Sequence, residues 1–393
     1  MQPRDLSGHA VYRAGRGVEE VARELGMEPD DLVKLSSNEN ALGPSPAAVE
    51  AIREAASGAH AYPKAVHADL VAALARQWGV APEQVWLANG GDGALNYLAR
   101  AVLDPGDAVL VPEPGFAYYA MSARYHHGSV GTYRLSKEAG FAQTAEGVLE
   151  AYDGERIVYL TSPHNPTGSE MGLDAIATIA AETDPETLVV VDEAYAEYAD
   201  APSALALVTG RTEGRIDTDD HDGTRTSGPG DATDARGRSD GAGVSRREDV
   251  AVLRTFSKAH GLAGVRLGYA LVPEPWADAY ARVNTPFAAS TLACRAGLAA
   301  LEDDEHVARS VETARWAREH IRAELDAPTY ASAGNFVLAD VGEAAAVAET
   351  ARRDGVIVRD CTSFGLPECI RITCGTREET ERAVAVLNGV LAG

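Results

Sequence analysis

Short runs that are apolar at every position recur along the first two thirds of the chain, separated by helical patterns. Leu188-Val189-Val190-Val191 is the plainest. Val85-Trp86-Leu87-Ala88, Ala108-Val109-Leu110-Val111, Ile157-Val158-Tyr159-Leu160 and Val250-Ala251-Val252-Leu253 are of the same kind, and Leu267-Gly268-Tyr269-Ala270-Leu271-Val272 follows. A strand with one face in water alternates apolar and polar residues. A strand with no polar position has to be covered on both faces, which calls for helices on either side of the sheet. Pro112 is expected to close its strand, and a helix is expected to open after Gly91 and run through Leu95, Leu98 and Val102. The fold class this dictates is α/β, in a large unit spanning residues 45–284.

The texture changes at about Thr285. One long helical stretch is expected to reach Leu325, with Leu292, Leu298, Leu301 and Val307 as core positions. Asn335-Phe336-Val337-Leu338, Val356-Ile357-Val358-Arg359 and Ile370-Arg371-Ile372-Thr373 then alternate with helices, the last ending at Leu391. Residues 285–393 therefore read as a smaller α+β unit, and 1–44 as an N-terminal arm that supplies part of it. Residues 209–245 stand apart. Asp, Gly, Thr, Ser and Arg dominate there, and such a segment buries too little apolar surface to offset its ordering entropy. It is expected to be a disordered acidic surface insertion.

A length of 393 residues exceeds one core, and 45% hydrophobic content is that of a folded protein. No apolar run approaches a membrane span, and the polar opening residues lack the apolar centre of a signal peptide, so a cytoplasmic location is expected. Cys294, Cys361, Cys369 and Cys374 form no paired motif and read as buried reduced thiols, with no metal site. The net charge of −24 argues against nucleic-acid or anionic-membrane partners. Only four of the 35 basic residues are lysine, a balance that resembles proteins of salt-loving organisms and predicts a need for molar salt.

One of those lysines has chemical surroundings. In Thr255-Phe256-Ser257-Lys258-Ala259-His260-Gly261, hydroxyls flank an amine, and Arg266 supplies a fork for an anion. An amine, unlike a guanidinium, can lose its proton and attack a carbonyl. The set suggests an aldehyde cofactor carrying a phosphate, pyridoxal 5'-phosphate (PLP), although a basic loop beside a strand would read the same. Asn89-Gly90-Gly91-Asp92-Gly93 lies between a strand and a helix, where glycines and free amides suit an anion, or simply a turn. Ser162-Pro163-His164-Asn165-Pro166-Thr167-Gly168 holds an amide in a stiff turn. Asp192, in Val191-Asp192-Glu193-Ala194-Tyr195, ends an apolar strand and needs either a helix to cap or a cationic partner such as a protonated pyridine nitrogen. Phe116, in Pro114-Gly115-Phe116-Ala117-Tyr118-Tyr119, offers a face for a flat ring or for the core.

In this order and spacing the five pieces resemble the aspartate-aminotransferase-type PLP fold, a large domain with a mostly parallel seven-stranded sheet plus a smaller α+β domain. Lys34-Leu35-Ser36-Ser37-Asn38-Glu39-Asn40-Ala41-Leu42-Gly43-Pro44, Tyr12-Arg13-Ala14-Gly15-Arg16-Gly17 and Arg371-Ile372-Thr373 with Gly375-Thr376-Arg377 are similar to histidinol-phosphate aminotransferases. The likeness covers nearly the whole chain outside the insertion. It implies that Lys258 bonds covalently to the cofactor and shuttles a proton, and that Asp192 pairs with the pyridine nitrogen. It further implies that Asn165 and Tyr195 contact the phenolic oxygen and that Phe116 stacks on the ring. Gly91, Asp92, Thr255, Ser257 and Arg266 are implied around the phosphate. Tyr62 is implied to reach the phosphate of a partner subunit in a homodimer. Tyr12, Asn335, Arg359 and Arg371 are implied to hold the substrate. Gly93 and Ala41 depart from the common pattern, which has Glu and Pro there, without touching the chemistry. The implied reaction is transamination of L-histidinol phosphate with 2-oxoglutarate, giving imidazole acetol phosphate and glutamate. Another amino-acid aminotransferase and a phosphothreonine decarboxylase remain as alternatives on the same scaffold.

Overall fold

The computed structural model describes residues 6–7, 9, 17–64, 67–211 and 245–393. Tyr12 and almost all of the expected insertion at 209–245 lie outside the described residues. Eleven strands are present among the described residues: β1 (Val33–Leu35), β2 (Val85–Asn89), β3 (Ala108–Glu113), β4 (Ser129–Arg134), β5 (Ile157–Thr161), β6 (Leu188–Asp192), β7 (Val250–Thr255), β8 (Leu267–Leu271), β9 (Phe336–Asp340), β10 (Val356–Asp360) and β11 (Cys369–Thr373).

Seven of them form one sheet in the order β2-β8-β7-β6-β5-β3-β4. Pairs from β4 to β7 are parallel, and β8 runs antiparallel to both its neighbours. The apolar strands divide their side chains between two cores with period two. Val109, Ile157, Tyr159, Leu188 and Val190 pack on one face. Leu110, Val158, Leu160, Val189 and Val191 pack on the other. That is the double covering which the uninterrupted apolar runs demand. The expected α/β class and aspartate-aminotransferase-type sheet are what the chain forms.

Two strand expectations needed correction. Pro112 does not end β3, which continues to Glu113. On one side β5 pairs only with Val109 and Leu110, so no ladder bond is asked of the missing proline N–H on that side, while β4 still runs alongside on the other. Sequence reading also passed over β4, an edge strand with Ser129, Thr132 and Arg134 exposed and no apolar run.

A second sheet has the order β1-β10-β11-β9. Its core joins Val33 and Leu35 of the N-terminal segment to Val337, Val356, Val358, Ile370 and Ile372, under helices Asp304–Glu324, Ala344–Arg353 and Arg377–Ala392. The single long helix expected up to Leu325 is two, Thr291–Leu301 and Asp304–Glu324. Asp303 breaks the run, since its carboxylate accepts the His306 N–H at 3.0 Å and caps the second helix. The fully buried positions of the first helix are Ala293, Cys294, Ala296, Gly297 and Ala300, whereas Leu292 and Leu298 are only half-buried. Close packing explains this: a Cβ on Gly297 would stand 2.3 Å from Leu267 Cδ2. All four cysteines are buried and free, and no group of metal-ligating side chains occurs among the described residues.

Candidate active site

The carboxyl ends of β2, β5, β6 and β7 and the start of β8 lie along one edge of the large sheet, as their registers require. The glycine-rich turn, the Asn165 loop, Asp192 and the Lys258–Arg266 segment hang from these ends, and the Phe116 turn follows the carboxyl end of β3. In a sheet with helices on both faces, such an edge is where loops can converge on a ligand.

Asp192 closes β6 and is 6% exposed. The Tyr119 hydroxyl donates to its Oδ2 at 2.7 Å, and the Ala194 N–H donates to its Oδ1 at 3.0 Å. Burial pushes its carboxyl up to about 6, against the pull of these two donors, with Asp92 and Glu193 adding to the rise. Among the described residues no lysine or arginine pairs with it. Glu193, next in sequence, turns away to the buried Arg254 at 3.1 Å.

Thr255 closes β7, and its hydroxyl donates to Ser257 Oγ at 3.0 Å. Lys258 follows, half-buried, with its Nζ donating to the Asn38 carbonyl at 3.2 Å and lying 5.4 Å from the centre of the Tyr195 ring. At the end of β2, Gly90 takes φ +72°, and the helix Gly90–Val102 starts with no side-chain cap on its amides. Arg266 lies against this turn and bonds Asp92 at 3.2 Å. A side chain at Gly90 would be strained by the left-handed backbone and would push the Arg266 guanidinium out of place, since its Cβ would meet Nη2 at 2.4 Å. Burial raises the Asp92 carboxyl, and Arg266 and Lys258 hold it back.

The β5 loop carries Asn165, steadied by buried His164, whose Nδ1 pairs with Thr167 Oγ1 at 2.8 Å and which burial keeps neutral, down to about 3. Arg371 Nη1 donates to Asn165 Oδ1, and its Nη2 donates to the Ser36 carbonyl at 2.9 Å. Arg359 faces Arg371 in the β10–β11 register and bonds Ser363 at 3.1 Å. Asn335 reaches the carbonyls of Asn38 and Glu39 at 3.2 and 3.3 Å. Phe116 precedes the helix Ala117–Tyr125 and meets Tyr119 edge to face at 5.5 Å.

Asn38 Nδ2 donates to the Tyr195 hydroxyl at 3.0 Å, so direct contacts tie Asn165 to Arg371, Asp92 to Arg266, and Asn335, Lys258 and Tyr195 to a common residue, Asn38. Tyr62 does not join them. It is 85% exposed, and its ring lies 5.1 Å from that of Phe287.

The donor set fits PLP. The uncapped helix amides, the Thr255 and Ser257 hydroxyls and the Arg266 guanidinium suit a phosphate dianion. Asp192 is the reverse case, a buried carboxylate that lacks a cation, and a protonated pyridine nitrogen would supply one.

A sequence model of the family described as aminotransferase class I and II matches residues 30–387. A histidinol-phosphate aminotransferase of Haloarcula marismortui is 66% identical over 391 residues, which covers 100% of this chain and 99% of that protein. The chain belongs to the class I and II aminotransferases, in the histidinol-phosphate aminotransferase family. A relative from Natronomonas pharaonis with the same name is 63% identical over 391 residues, covering 100% of both chains. Among solved structures, the histidinol-phosphate aminotransferase of Sinorhizobium meliloti in complex with PLP superposes with a TM-score of 0.77 at 26% identity, over 96% of this chain and 95% of that one.

Three residues at this aminotransferase site escaped sequence reading. Tyr119 stands three residues after Phe116 in the first turn of its helix, a spacing that puts both on one side and was the available signal. Asn38 lay within a quoted motif, but nothing local marks its partners. Thr373 bonds Asn38 across 335 residues, and only the fold brings the two together.

Proposed function

We propose that the protein transfers the amino group of L-histidinol phosphate to 2-oxoglutarate, with PLP as cofactor, and so yields imidazole acetol phosphate and glutamate for histidine biosynthesis. The observation that carries this reading is 66% identity along the whole chain to an enzyme of that name. When bound, PLP supplies an aldehyde that joins an amine and a ring that accepts an electron pair.

The residues divide the remaining work. Lys258 is the amine that would hold the cofactor covalently and, when free, would serve as the base that takes the substrate's proton. Its half-buried amine is held at the Asn38 carbonyl, 3.2 Å away, beside the Tyr195 ring. Asp192 keeps the pyridine nitrogen protonated. Its carboxylate is costly in that position without a cation, and its negative charge beside the ring nitrogen would favour the protonated ring while offsetting that cost. Asn165 and Tyr195 address the phenolic oxygen, and Phe116 covers the ring. Gly91, Asp92, Thr255, Ser257 and Arg266 seat the phosphate. Arg359 and Arg371, neighbours across two strands, hold the anionic end of either substrate, and Asn335 and Tyr12 are assigned to the substrate by the family resemblance.

The enzyme acts in the cytoplasm as a homodimer in which Tyr62 serves the partner's phosphate. The exposure of Tyr62 and Phe287, at 85% and 49%, supports a covered face there. No helix among the described residues is long and apolar enough to cross a membrane. With a net charge of −24 and four lysines, the protein is read as salt-requiring, and full stability in dilute buffer would remove that reading. The deciding assay follows glutamate released from 2-oxoglutarate with histidinol phosphate as donor. No glutamate, together with brisk turnover of phenylalanine or CO2 release from phosphothreonine, would overturn the substrate assignment.

A further inference from the structure

Asn38 is fully buried and adopts a left-handed backbone, φ +52°, which asparagine tolerates better than most residues. Every polar group it has is engaged. Its N–H donates to Thr373 Oγ1 at 2.9 Å, and the Thr373 hydroxyl donates back to Asn38 Oδ1 at 3.2 Å. Its Nδ2 donates to the Tyr195 hydroxyl oxygen at 3.0 Å. Its carbonyl receives Lys258 Nζ and Asn335 Nδ2, each at 3.2 Å.

This network decides where one hydrogen points. Thr373 Oγ1 accepts from a backbone N–H, which can only donate, so its own hydrogen is free for Asn38 Oδ1. Turned over, the amide would offer its own N–H to Thr373 Oγ1 and deprive the Thr373 hydrogen of the acceptor it has in this arrangement, so the end left facing Tyr195 is the donor end. A hydroxyl that receives a hydrogen bond turns its own hydrogen elsewhere and gives it more strongly. We propose that Asn38, its amide held by Thr373, is a positioning residue that aims the Tyr195 hydroxyl hydrogen at the phenolic oxygen of the cofactor, an inference that rests on PLP lying beside Lys258 and Asp192.

A donor at that oxygen draws off its negative charge. With a weaker donor the oxygen stays more negative and holds the proton on the neighbouring Lys258–cofactor nitrogen more tightly, so the pKa read from the cofactor's absorbance rises. Thr373→Val keeps shape and charge but frees the amide to turn its acceptor end toward Tyr195. Lys258, whose Nζ lies 5.4 Å from the Tyr195 ring centre, and the buried Tyr198 and Cys374, which pack in one cluster with Tyr195, are left as they are.

The experiment titrates the visible absorbance of holoenzyme against pH in four proteins: wild type, Thr373→Val, Tyr195→Phe and the double variant. The expected result is a rise of roughly half a pH unit for Thr373→Val, and no further rise when the same change is made on Tyr195→Phe. An unmoved titration in Thr373→Val, or an equal rise with and without the Tyr195 hydroxyl, would overturn the proposal. If Thr373→Val yields no soluble holoenzyme, Asn38→Asp makes the same comparison. Its carboxylate accepts the Tyr195 hydrogen, so a rise that is no larger with the hydroxyl than without it sinks the idea. Wild-type protein with no titrating absorbance would instead refute the PLP reading itself.

Discussion

Asp192→Asn is expected to stabilise the protein stripped of cofactor and to cripple the loaded enzyme. An ordinary aspartate titrates near 3.8, and burial takes Asp192 to about 6. At about 1.4 kcal/mol per pH unit, roughly 3 kcal/mol is held against the carboxylate in the folded cofactor-free chain. The sign follows from the raised value. The folded state binds this proton more tightly than the unfolded state does, so the favourable contribution is whole below about 3.8, declines as pH rises, and is gone above about 6. Asparagine mimics the protonated acid at every pH. Its Oδ1 keeps the Ala194 N–H, and its Nδ2 can donate to the Tyr119 oxygen while that hydroxyl turns its hydrogen to Thr161 Oγ1, 2.9 Å away. Denaturant unfolding of stripped protein at neutral pH in molar salt should therefore show a gain of up to about 3 kcal/mol, shrinking toward zero in acid. Salt screens surface charge but not this buried group. In the loaded enzyme the amide cannot hold the ring nitrogen protonated, and losing one partner of a buried charge pair costs about 3–5 kcal/mol, or a fall in kcat of at least about 10²-fold. A stripped variant less stable than wild type at neutral pH would refute the burial argument. A loaded variant within tenfold of wild-type kcat would refute the pairing with the ring.

Lys258→Ala should lose both turnover and the absorbance of lysine-bound cofactor, and borohydride should then fix no pyridoxyl label on the protein. Arg371→Lys keeps the charge but not the fork that reaches Asn165 and Ser36 together, so KM for both anionic substrates should rise about tenfold or more in steady-state kinetics. Arg254→Met strands Glu193, since the pair at 3.1 Å has side chains only 7% and 4% exposed. Unfolding of this variant should show a loss of about 3–5 kcal/mol.

The sequence made the fold legible wherever a residue's neighbours in the chain decide its state. Val189 and Val190 announce a strand covered on both faces because each face has its own core. The same rule hid β4, whose pairing with β3 rather than its composition makes it a strand. It also hid the break at Asp303, where one cap outweighs a continuing helical pattern. At the site, Lys258, Asp192, Asn165 and Arg266 were legible because each belongs to a short motif at a strand end. Tyr62 was singled out only by resemblance, and its ring packs on that of Phe287, 5.1 Å away.

What could not be read locally is how the amides at the site are oriented, and here β11 is decisive. Arg371 and Thr373 are two residues apart on that strand, so their side chains leave it on the same face. Arg371 takes the oxygen of Asn165, and Thr373 takes the oxygen of Asn38. In both cases the nitrogen end is left for the centre of the site. The large sheet carries Lys258, Asp192, Asn165 and Tyr195, and one strand of the small sheet orients Asn165 directly and Tyr195 through Asn38. A substrate anion that engages Arg371 competes for the guanidinium that fixes Asn165, whereas Thr373 offers no charge to compete for. On the proposed roles, substrate binding should thus retune the Asn165 contact with the phenolic oxygen while leaving the Tyr195 contact set by Asn38. The two contacts should separate in a titration run with and without a bound dicarboxylate: the Thr373→Val shift persists in both, and any shift that depends on Asn165 changes with ligand.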